Sequence, residues 1–220
     1  MLLSPKYNFL FVHIAKTGGT SIRAALNRYR WRDPRYVPIW LASRMSALAG
    51  HRLGIKLARH ARIIAAREVL PGDFFCGLYK FAFVRNPWDL QVSSYHHVRR
   101  ERPDLIAACK NFSDFVHYKF AAGARLPYHL AITSSPQLEY CVDMHGHMLL
   151  DFVGRFERLD ADFTVVCARL GLPKLALPHR RQARSRTDYR SYYDAETAEI
   201  VARAYASDTA HFGYRFDPDG

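Results

Sequence analysis

Near the start of the chain, six consecutive residues carry the groups that bind an oxyanion: Lys16, Thr17, Gly18, Gly19, Thr20 and Ser21. The preceding residues 8–14, NFLFVHI, are aromatic and β-branched and predict a short buried strand of a parallel sheet. Thr20 or Ser21 can cap a helix that runs to about Tyr29. A strand, a glycine turn and a helix start direct unpaired amides and a positive dipole end at one spot. The pattern therefore predicts a site for a terminal phosphate or sulfate group.

The order of these residues disfavours ATP or GTP as the bound nucleotide. The motif GxxxxGK[ST] has a glycine at the start of its loop and a lysine directly before the hydroxyl residue that holds Mg²⁺. Here Lys16 comes before both glycines. An acidic residue for the metal is also missing from the second strand, because KFAFVRN, residues 80–86, ends in arginine and asparagine.

A second stretch with functional side chains begins at KFAFV, residues 80–84, which predicts another buried strand. Asn86 then stands at a helix cap position, and Pro87 stands at the first helical position. One face of this helix is predicted to be apolar, because helical spacing places Trp88, Val92 and Tyr95 on the same side. Arg85 is thereby predicted at the carboxyl end of a strand, where open α/β sheets bind ligands.

The remaining patterns alternate between helix and strand. Further predicted elements are a surface helix over residues 41–59, a brief strand leading into a helix that ends before Pro71-Gly72, a strand within 149–156, and helices within 160–173 and 194–212. Interleaved strands and helices predict an α/β fold with a central, mostly parallel sheet flanked by helices. The 220 residues, 49% of them hydrophobic, suffice for one core, and we expect a single domain over residues 1–220.

The composition indicates an anionic partner. The formal net charge is +12 and the pI is near 9.8, which suits phosphate, sulfate or nucleic acid. The four cysteines are scattered without a CxxC pair, so we expect reduced thiols and neither a zinc site nor a disulfide framework. The first apolar run is too short to span a membrane. We therefore expect a cytoplasmic protein without a signal peptide, a transmembrane segment or integral membrane contact.

Four blocks of the sequence, in this order, resemble sulfotransferases that use 3′-phosphoadenosine 5′-phosphosulfate: HIAKTGGTS (13–21), FAFVRNPWDLQVSSYHH (81–97), LLDFVGRFERLDADF (149–163) and the segment 189–216. The first two blocks are similar to the nucleotide-binding signatures of the carbohydrate sulfotransferase type found in bacteria and in the animal Golgi. The resemblance covers most of the chain apart from residues 30–58 and 100–135. One departure is Ala15, where such sequences usually carry proline.

The resemblance implies a three-layer, P-loop-like fold and in-line transfer of a sulfuryl group from the nucleotide donor to a hydroxyl group of a carbohydrate or glycan. Adenosine 3′,5′-bisphosphate would be the product. Lys16, Thr17, Gly18, Gly19, Thr20 and Ser21 would hold the 5′-phosphosulfate, and Arg85 and Ser93 would grip the 3′-phosphate. No metal is expected, because the transferred group carries less charge than a phosphoryl group.

The transfer needs charge neutralisation and a general base. Lys16 is expected to stabilise the bridging oxygen on the leaving phosphate. His60 is the first candidate for the base that accepts the proton of the acceptor hydroxyl, because residues 59–68 fall where the family places a strand-end histidine. The alternative for His60 is a surface histidine in a basic stretch. His51 and Glu68 are the other candidates, and His13 is expected to be packed in the strand.

Two further assignments stay open. The basic segment 179–190 could close over the 3′-phosphate or adenine, as the comparable segment of the family does, or form a solvated loop. Arg155 could serve the site or pair with Glu157 or Asp151.

Two functions of other classes are the alternatives. A nucleotide-dependent kinase of the P-loop type would need a metal and paired carboxylates that the sequence does not offer. A nucleic-acid-binding protein would suit the charge, but no helix-turn-helix, zinc or RNP-type motif is present, and no specific nucleic acid is expected as a partner.

Overall fold

The chain folds as two compact units. The computed structural model describes residues 1–34, 37–38, 41, 45, 57–178 and 188–217. The first unit consists of Met1–Ile14, Gly18–Val84 and Tyr140–Arg180, and the second consists of Ala15–Thr17, Arg85–Glu139 and Arg181–Gly220. The single domain over residues 1–220 stays a prediction. The predicted surface helix over 41–59 lies mostly outside the described residues.

Four strands of the first unit form one sheet in the order β1-β2-β3-β4. The strands are β1 (Leu2–Ser4), β2 (Phe9–Val12), β3 (Tyr79–Val84) and β4 (Phe152–Arg155). β1 is antiparallel to β2, whereas β2 and β3, and likewise β3 and β4, are parallel. This confirms an α/β fold with a mostly parallel sheet. β2 and β4 lie within the segments predicted as strands, and β3 begins one residue before the predicted 80–84.

The described α-helices are α1 (Gly19–Trp31), α2 (Ile63–Val69), α3 (Gly72–Gly77), α4 (Pro87–Glu101), α5 (Phe112–Phe120), α6 (Tyr128–Ala131), α7 (Leu159–Arg169), α8 (Ala195–Ala204) and α9 (Ala206–Phe212). Short 3₁₀ turns add Pro103–Ile106, Gln137–Tyr140, Phe156–Arg158 and Tyr189–Tyr192. None of these described helices combines the length and the apolar character needed to cross a lipid bilayer.

The core of the first unit joins the sheet to α1 and α7. Four alternate strand residues share one face of the sheet and are fully buried: Phe9, Phe11, Phe81 and Phe83. Ile22 and Leu26 of α1, together with Phe163 and Val166 of α7, pack into the same cluster. Burial of each such side chain stabilises the fold by about 1.5–3 kcal/mol. This packing fixes the start of α1 directly after the turn that follows β2.

The brief strand predicted before α2 is wrong. Residues 57–62 contain no strand, and α2 begins at Ile63. Ile63 and Ala66 are both buried, three positions apart, so this apolar pattern fits one face of a helix. The helix ends before Pro71-Gly72, as predicted.

The second unit is helical, and its core is built on α4. Asn86 caps α4 by accepting hydrogen bonds from the amides of Trp88 and Asp89, and Pro87 occupies the first turn, which confirms the predicted helix start. The predicted apolar face is also confirmed: Trp88, Val92 and Tyr95 are buried. Residues from α5, α6 and α8 pack against this face, including Phe115, Leu130 and Val201.

Candidate functional site

The turn before α1 has room only for glycine. A Cβ atom on Gly18 would lie 2.7 Å from Cδ2 of Leu159, and Gly18 has a φ of +81°, which side chains rarely adopt. A Cβ atom on Gly19 would lie 2.0 Å from Cδ2 of His13. Any substitution at either glycine would therefore force the neighbouring side chain to move. The two glycines therefore allow the backbone of the first unit to turn tightly from β2 into α1.

The prediction that Thr20 or Ser21 caps α1 is wrong, because the helix begins at Gly19. The carbonyl oxygen of Gly18 accepts hydrogen bonds from the amides of Ser21 and Ile22 at 3.0 and 3.3 Å, so Gly18 stands at the cap position, two residues before Thr20. Both hydroxyl residues consequently lie inside that turn, with Thr20 exposed and Ser21 half-buried.

The first turn of α1 suits an anion. It contains no acidic side chain. The first backbone N–H groups of a helix also have no acceptor inside the helix. The dipole adds positive potential at the same end. Exposed Thr20 adds a hydroxyl donor there. The residues at this end of the first unit can therefore bind a phosphate or sulfate oxygen.

His60 and His13 form a pair in the first unit. Nδ1 of His60 lies 2.9 Å from the carbonyl oxygen of His13, and the two ring centroids are 4.6 Å apart. A carbonyl oxygen can only accept, so Nδ1 carries the hydrogen and Nε2 of a neutral His60 is the basic nitrogen. His60 is only half-buried. His60 is therefore held in the first unit by a hydrogen bond and is not an unattached surface histidine, while its catalytic role stays a prediction.

Both imidazoles of this pair are held neutral. Burial lowers the pKa of His13 to about 2, and the neighbouring His60 contributes to this shift. Burial also lowers the pKa of His60 below 6.5, although its hydrogen bond to His13 acts in the opposite direction. His60 is therefore unprotonated at neutral pH, which is the state that a general base needs. His13 is buried, as predicted, although β2 ends one residue before it, and its ring lies against Gly19.

Lys16 and Arg85 meet in the second unit. Nη1 of Arg85 donates to the carbonyl oxygen of Lys16 at 2.9 Å, and Nε of Arg85 pairs with Oδ2 of Asp89 at 2.6 Å. Arg85 is only 2% exposed. Lys16 has a φ of +66°, a left-handed conformation that costs a residue with a side chain about 1–2 kcal/mol. Thr17, which follows, is buried.

Gln137 holds the backbone of Arg85, Asp208 holds Gln137, and the sequence patterns identify neither residue. The side-chain amide of Gln137 accepts from the Arg85 N–H at 2.9 Å and donates to the Arg85 carbonyl oxygen at 2.7 Å. Oδ2 of Asp208 accepts from both the backbone and the side chain of Gln137. Both side chains are buried. Pro136 predicts only a turn at this point, so no local pattern identifies Gln137.

Ser93, the predicted partner of Arg85 on the 3′-phosphate, lies in the second turn of α4 and is half-buried. The adjacent Ser94 is buried instead, and its hydroxyl group lies 2.8 Å from that of Thr133. Ser93 is thus the more accessible of the two serines on this helix.

The remaining predicted residues lie in different settings. Glu68 is exposed on α2 and forms a 3.9 Å ion pair with Arg67, while His51 lies outside the described residues. Asp151, one possible partner of Arg155, pairs with Lys80 at 2.9 Å. Residues 179–187 of the basic segment are also outside the described part, and Arg190 forms ion pairs with Asp188 and Asp217.

Among the residues that the structure describes, no group of three or more His, Cys, Asp or Glu side chains is placed to hold a metal ion. The first unit offers amide and hydroxyl donors and the half-buried neutral imidazole of His60, and the second unit offers the cationic side chains of Lys16 and Arg85. Donors and cations of these kinds bind oxyanions, and a neutral imidazole accepts a proton.

One comparison with known proteins identifies a family. A family model described as "Sulfotransferase family" matches residues 1–215 of the 220. No individual curated protein and no solved structure matches the chain.

Proposed function

The chain belongs to the Sulfotransferase family, and from that premise we propose that it transfers a sulfuryl group from 3′-phosphoadenosine 5′-phosphosulfate to a hydroxyl group of a carbohydrate or glycan. Sulfuryl transfer to a hydroxyl acceptor follows from the family. The proposal also includes the identity of the donor, the carbohydrate acceptor, a three-layer P-loop-like arrangement and a cytoplasmic location.

The start of α1 is the observation that carries the proposal. Gly18 and Gly19 allow the close approach of Leu159 and His13, where a Cβ would collide, and the first turn has no acidic side chain to repel an anion. Thr20 and Ser21 stand in that turn with their hydroxyl groups at least partly accessible. These features fit the 5′-phosphosulfate of the donor, for which we propose residues 16–21 as the binding segment.

Lys16 and His60 have separate roles in the proposed reaction. The donor supplies a sulfuryl group whose leaving phosphate gains negative charge, and we assign neutralisation of that charge to the ammonium group of Lys16. Nε2 of His60 takes the proton of the acceptor hydroxyl, since Nδ1 is already bonded to the His13 carbonyl oxygen. His51 and Glu68 stay alternative bases within this proposal.

Arg85 and Ser93 are the proposed ligands of the 3′-phosphate. Two of the guanidinium nitrogens of Arg85 are committed to Asp89 and to the Lys16 carbonyl oxygen. We infer that Arg85 contributes its positive charge, and that it also connects the 3′-phosphate to the conformation of Lys16. Half-buried Ser93 contributes a hydroxyl donor.

Calorimetry with adenosine 3′,5′-bisphosphate in the absence of Mg²⁺ tests the donor assignment. We expect binding by the wild-type protein and loss of sulfuryl transfer in Lys16→Ala. Lys174→Ala is the matched control, because Lys174 is an exposed lysine elsewhere in the chain. A response to Mg·ATP alone would instead favour a kinase, and salt-sensitive binding of random DNA alone would favour a nucleic-acid-binding protein.

The acceptor is identified by incubating the protein with ³⁵S-labelled donor and separate pools of glycans, lipids and small alcohols. Label in the glycan pool supports a carbohydrate acceptor. Label confined to the lipid or alcohol pool would contradict the carbohydrate assignment and leave sulfuryl transfer in place.

A further inference from the structure

The backbone of Lys16 is held in a conformation that a lysine adopts only under constraint. Its φ of +66° is in the left-handed region, which glycine favours and longer residues avoid. Such a conformation persists only where surrounding contacts determine it. Nη1 of Arg85 supplies one such contact, to the carbonyl oxygen of Lys16.

Arg85 can hold Lys16 only if its own backbone is fixed. The side-chain amide of Gln137 forms hydrogen bonds to both the N–H and the carbonyl oxygen of Arg85, across 52 residues of sequence. Oδ2 of Asp208 in turn accepts hydrogen bonds from the backbone N–H and from the side-chain Nε2 of Gln137, at 2.9 and 3.0 Å. Asp208 also accepts from the amide of Leu138 at 2.9 Å, so its carboxylate is fixed by three donors.

We propose that Gln137 is a positioning residue for sulfuryl transfer: it fixes the Arg85 peptide and, through Arg85, the backbone of Lys16. This inference rests on the proposed role of Lys16 in catalysis. Gln137 is not among the residues for which we propose a contact with the donor. Loss of the Gln137 side chain therefore affects the placement of the Lys16 ammonium group in the transition state. A misplacement of about 1 Å lowers rates by up to about a hundredfold.

Gln137→Met tests the inference against Gln91→Met. Gln91 is an equally buried glutamine of the same unit whose Nε2 also bonds to a backbone carbonyl oxygen, that of Thr133, but its bonds are not to Arg85. Amide hydrogen–deuterium exchange of peptides containing Lys16 is measured without donor. Release of adenosine 3′,5′-bisphosphate from the sulfated donor is measured with the acceptor pool that the wild-type protein uses.

We expect faster exchange at Lys16 and a kcat reduced about ten- to a hundredfold in Gln137→Met, with little change in the KM of the acceptor. In Gln91→Met both quantities should stay near those of the wild type despite a similar loss of thermal stability. Equal exchange and equal kcat in the two variants would overturn the inference. A wild-type protein that transfers no sulfate would refute the proposed function, and the exchange result would still decide the link between Gln137 and Lys16.

Gln137→Glu serves as a second variant if Gln137→Met does not fold. It keeps the acceptor for the Arg85 N–H and loses the donor to the Arg85 carbonyl oxygen. Protonation of the introduced carboxylate restores one donor, so the ratio of variant to wild-type kcat should rise as the pH falls. The other charged groups here, Arg85, Asp89, Glu139 and Asp208, are the same in both proteins. A ratio that is independent of pH would contradict the inference.

Discussion

His60 donates a hydrogen bond from Nδ1 to the backbone carbonyl oxygen of His13, across 2.9 Å. This contact links the candidate base to the residue whose ring packs against Gly19 at the start of α1. It also sets the tautomer of His60, so that Nε2 is the nitrogen left to accept a proton. An orientation of this kind distinguishes a general base from a histidine that is merely solvated.

Replacement of His60 by alanine should lower kcat about 10²- to 10⁴-fold, because the acceptor hydroxyl loses its general base. In the wild type, kcat/KM should be flat near pH 7 and fall only at a pH below the range in which an ordinary imidazole titrates. The neutral imidazole is the active form, and burial lowers its pKa below 6.5. The pH–rate profiles of both proteins check this. His145→Ala is the control, and near-normal turnover of His60→Ala would move the base to His51 or Glu68.

Gly19→Ala should destabilise the first unit and weaken binding of adenosine 3′,5′-bisphosphate. The added methyl group would lie 2.0 Å from Cδ2 of His13, an overlap of the kind that costs about 1–3 kcal/mol. Thermal unfolding and calorimetry measure the two effects. His13→Ala combined with Gly19→Ala should recover part of the stability. Gly77→Ala is the control, since nothing lies within 4 Å of a Cβ there, and equal stability of the two glycine variants would refute the argument.

Arg85→Lys should weaken binding of adenosine 3′,5′-bisphosphate at least about tenfold although it retains the positive charge. A single ammonium group cannot reproduce the planar fork that reaches both Asp89 and the Lys16 carbonyl oxygen. Arg85→Ala should bind still more weakly and be less stable, because it removes the guanidinium partner of the mostly buried Asp89. Calorimetry measures both variants. Arg67→Lys, at an exposed arginine that also pairs with an aspartate, should retain the wild-type affinity, and an unchanged affinity of Arg85→Lys would contradict a geometric role.

Local sequence patterns were sufficient for the elements that position the site. Aromatic and β-branched runs identify β2 and β3, because strands buried on both faces need continuous apolar residues, whereas β4 is only partly buried. Asn86 and Pro87 identify the start of α4, because cap chemistry is contained in two adjacent residues. Gly171, with a φ of +64°, closes the turn after α7, within the segment 160–173 that is predicted to contain this helix.

Contacts between distant residues could not be predicted. β1 has three residues, too few for any periodicity, and its antiparallel pairing with β2 depends on the fold. Gln137 and Asp208 are polar residues that become buried only when separate segments meet, and neither stands in a motif. The pairing of His13 with His60 spans 47 residues. The sequence therefore predicts the loops of the site but not the residues that hold them.

Lys119→Met should make the stability of the protein less dependent on pH. Lys119 is 2% exposed, and Nζ donates to Gln91, Ser94 and Thr133, with no carboxylate within ion-pair distance in the described part of the chain. Burial holds its pKa well below 10.5. The unfolded chain therefore binds this proton at pH values where the folded protein does not.

The sign of the effect follows from that difference in proton binding. The free energy of unfolding of the wild type should rise with pH from the lowered pKa of Lys119 up to about 10.4, the value in the unfolded chain, relative to that of Lys119→Met. Urea unfolding at a series of pH values measures the difference. Lys110→Met, at an exposed lysine, should give a difference that does not change with pH. A stability difference between wild type and Lys119→Met that is constant across the series would show that Lys119 remains protonated in the folded protein, held by its three oxygen acceptors.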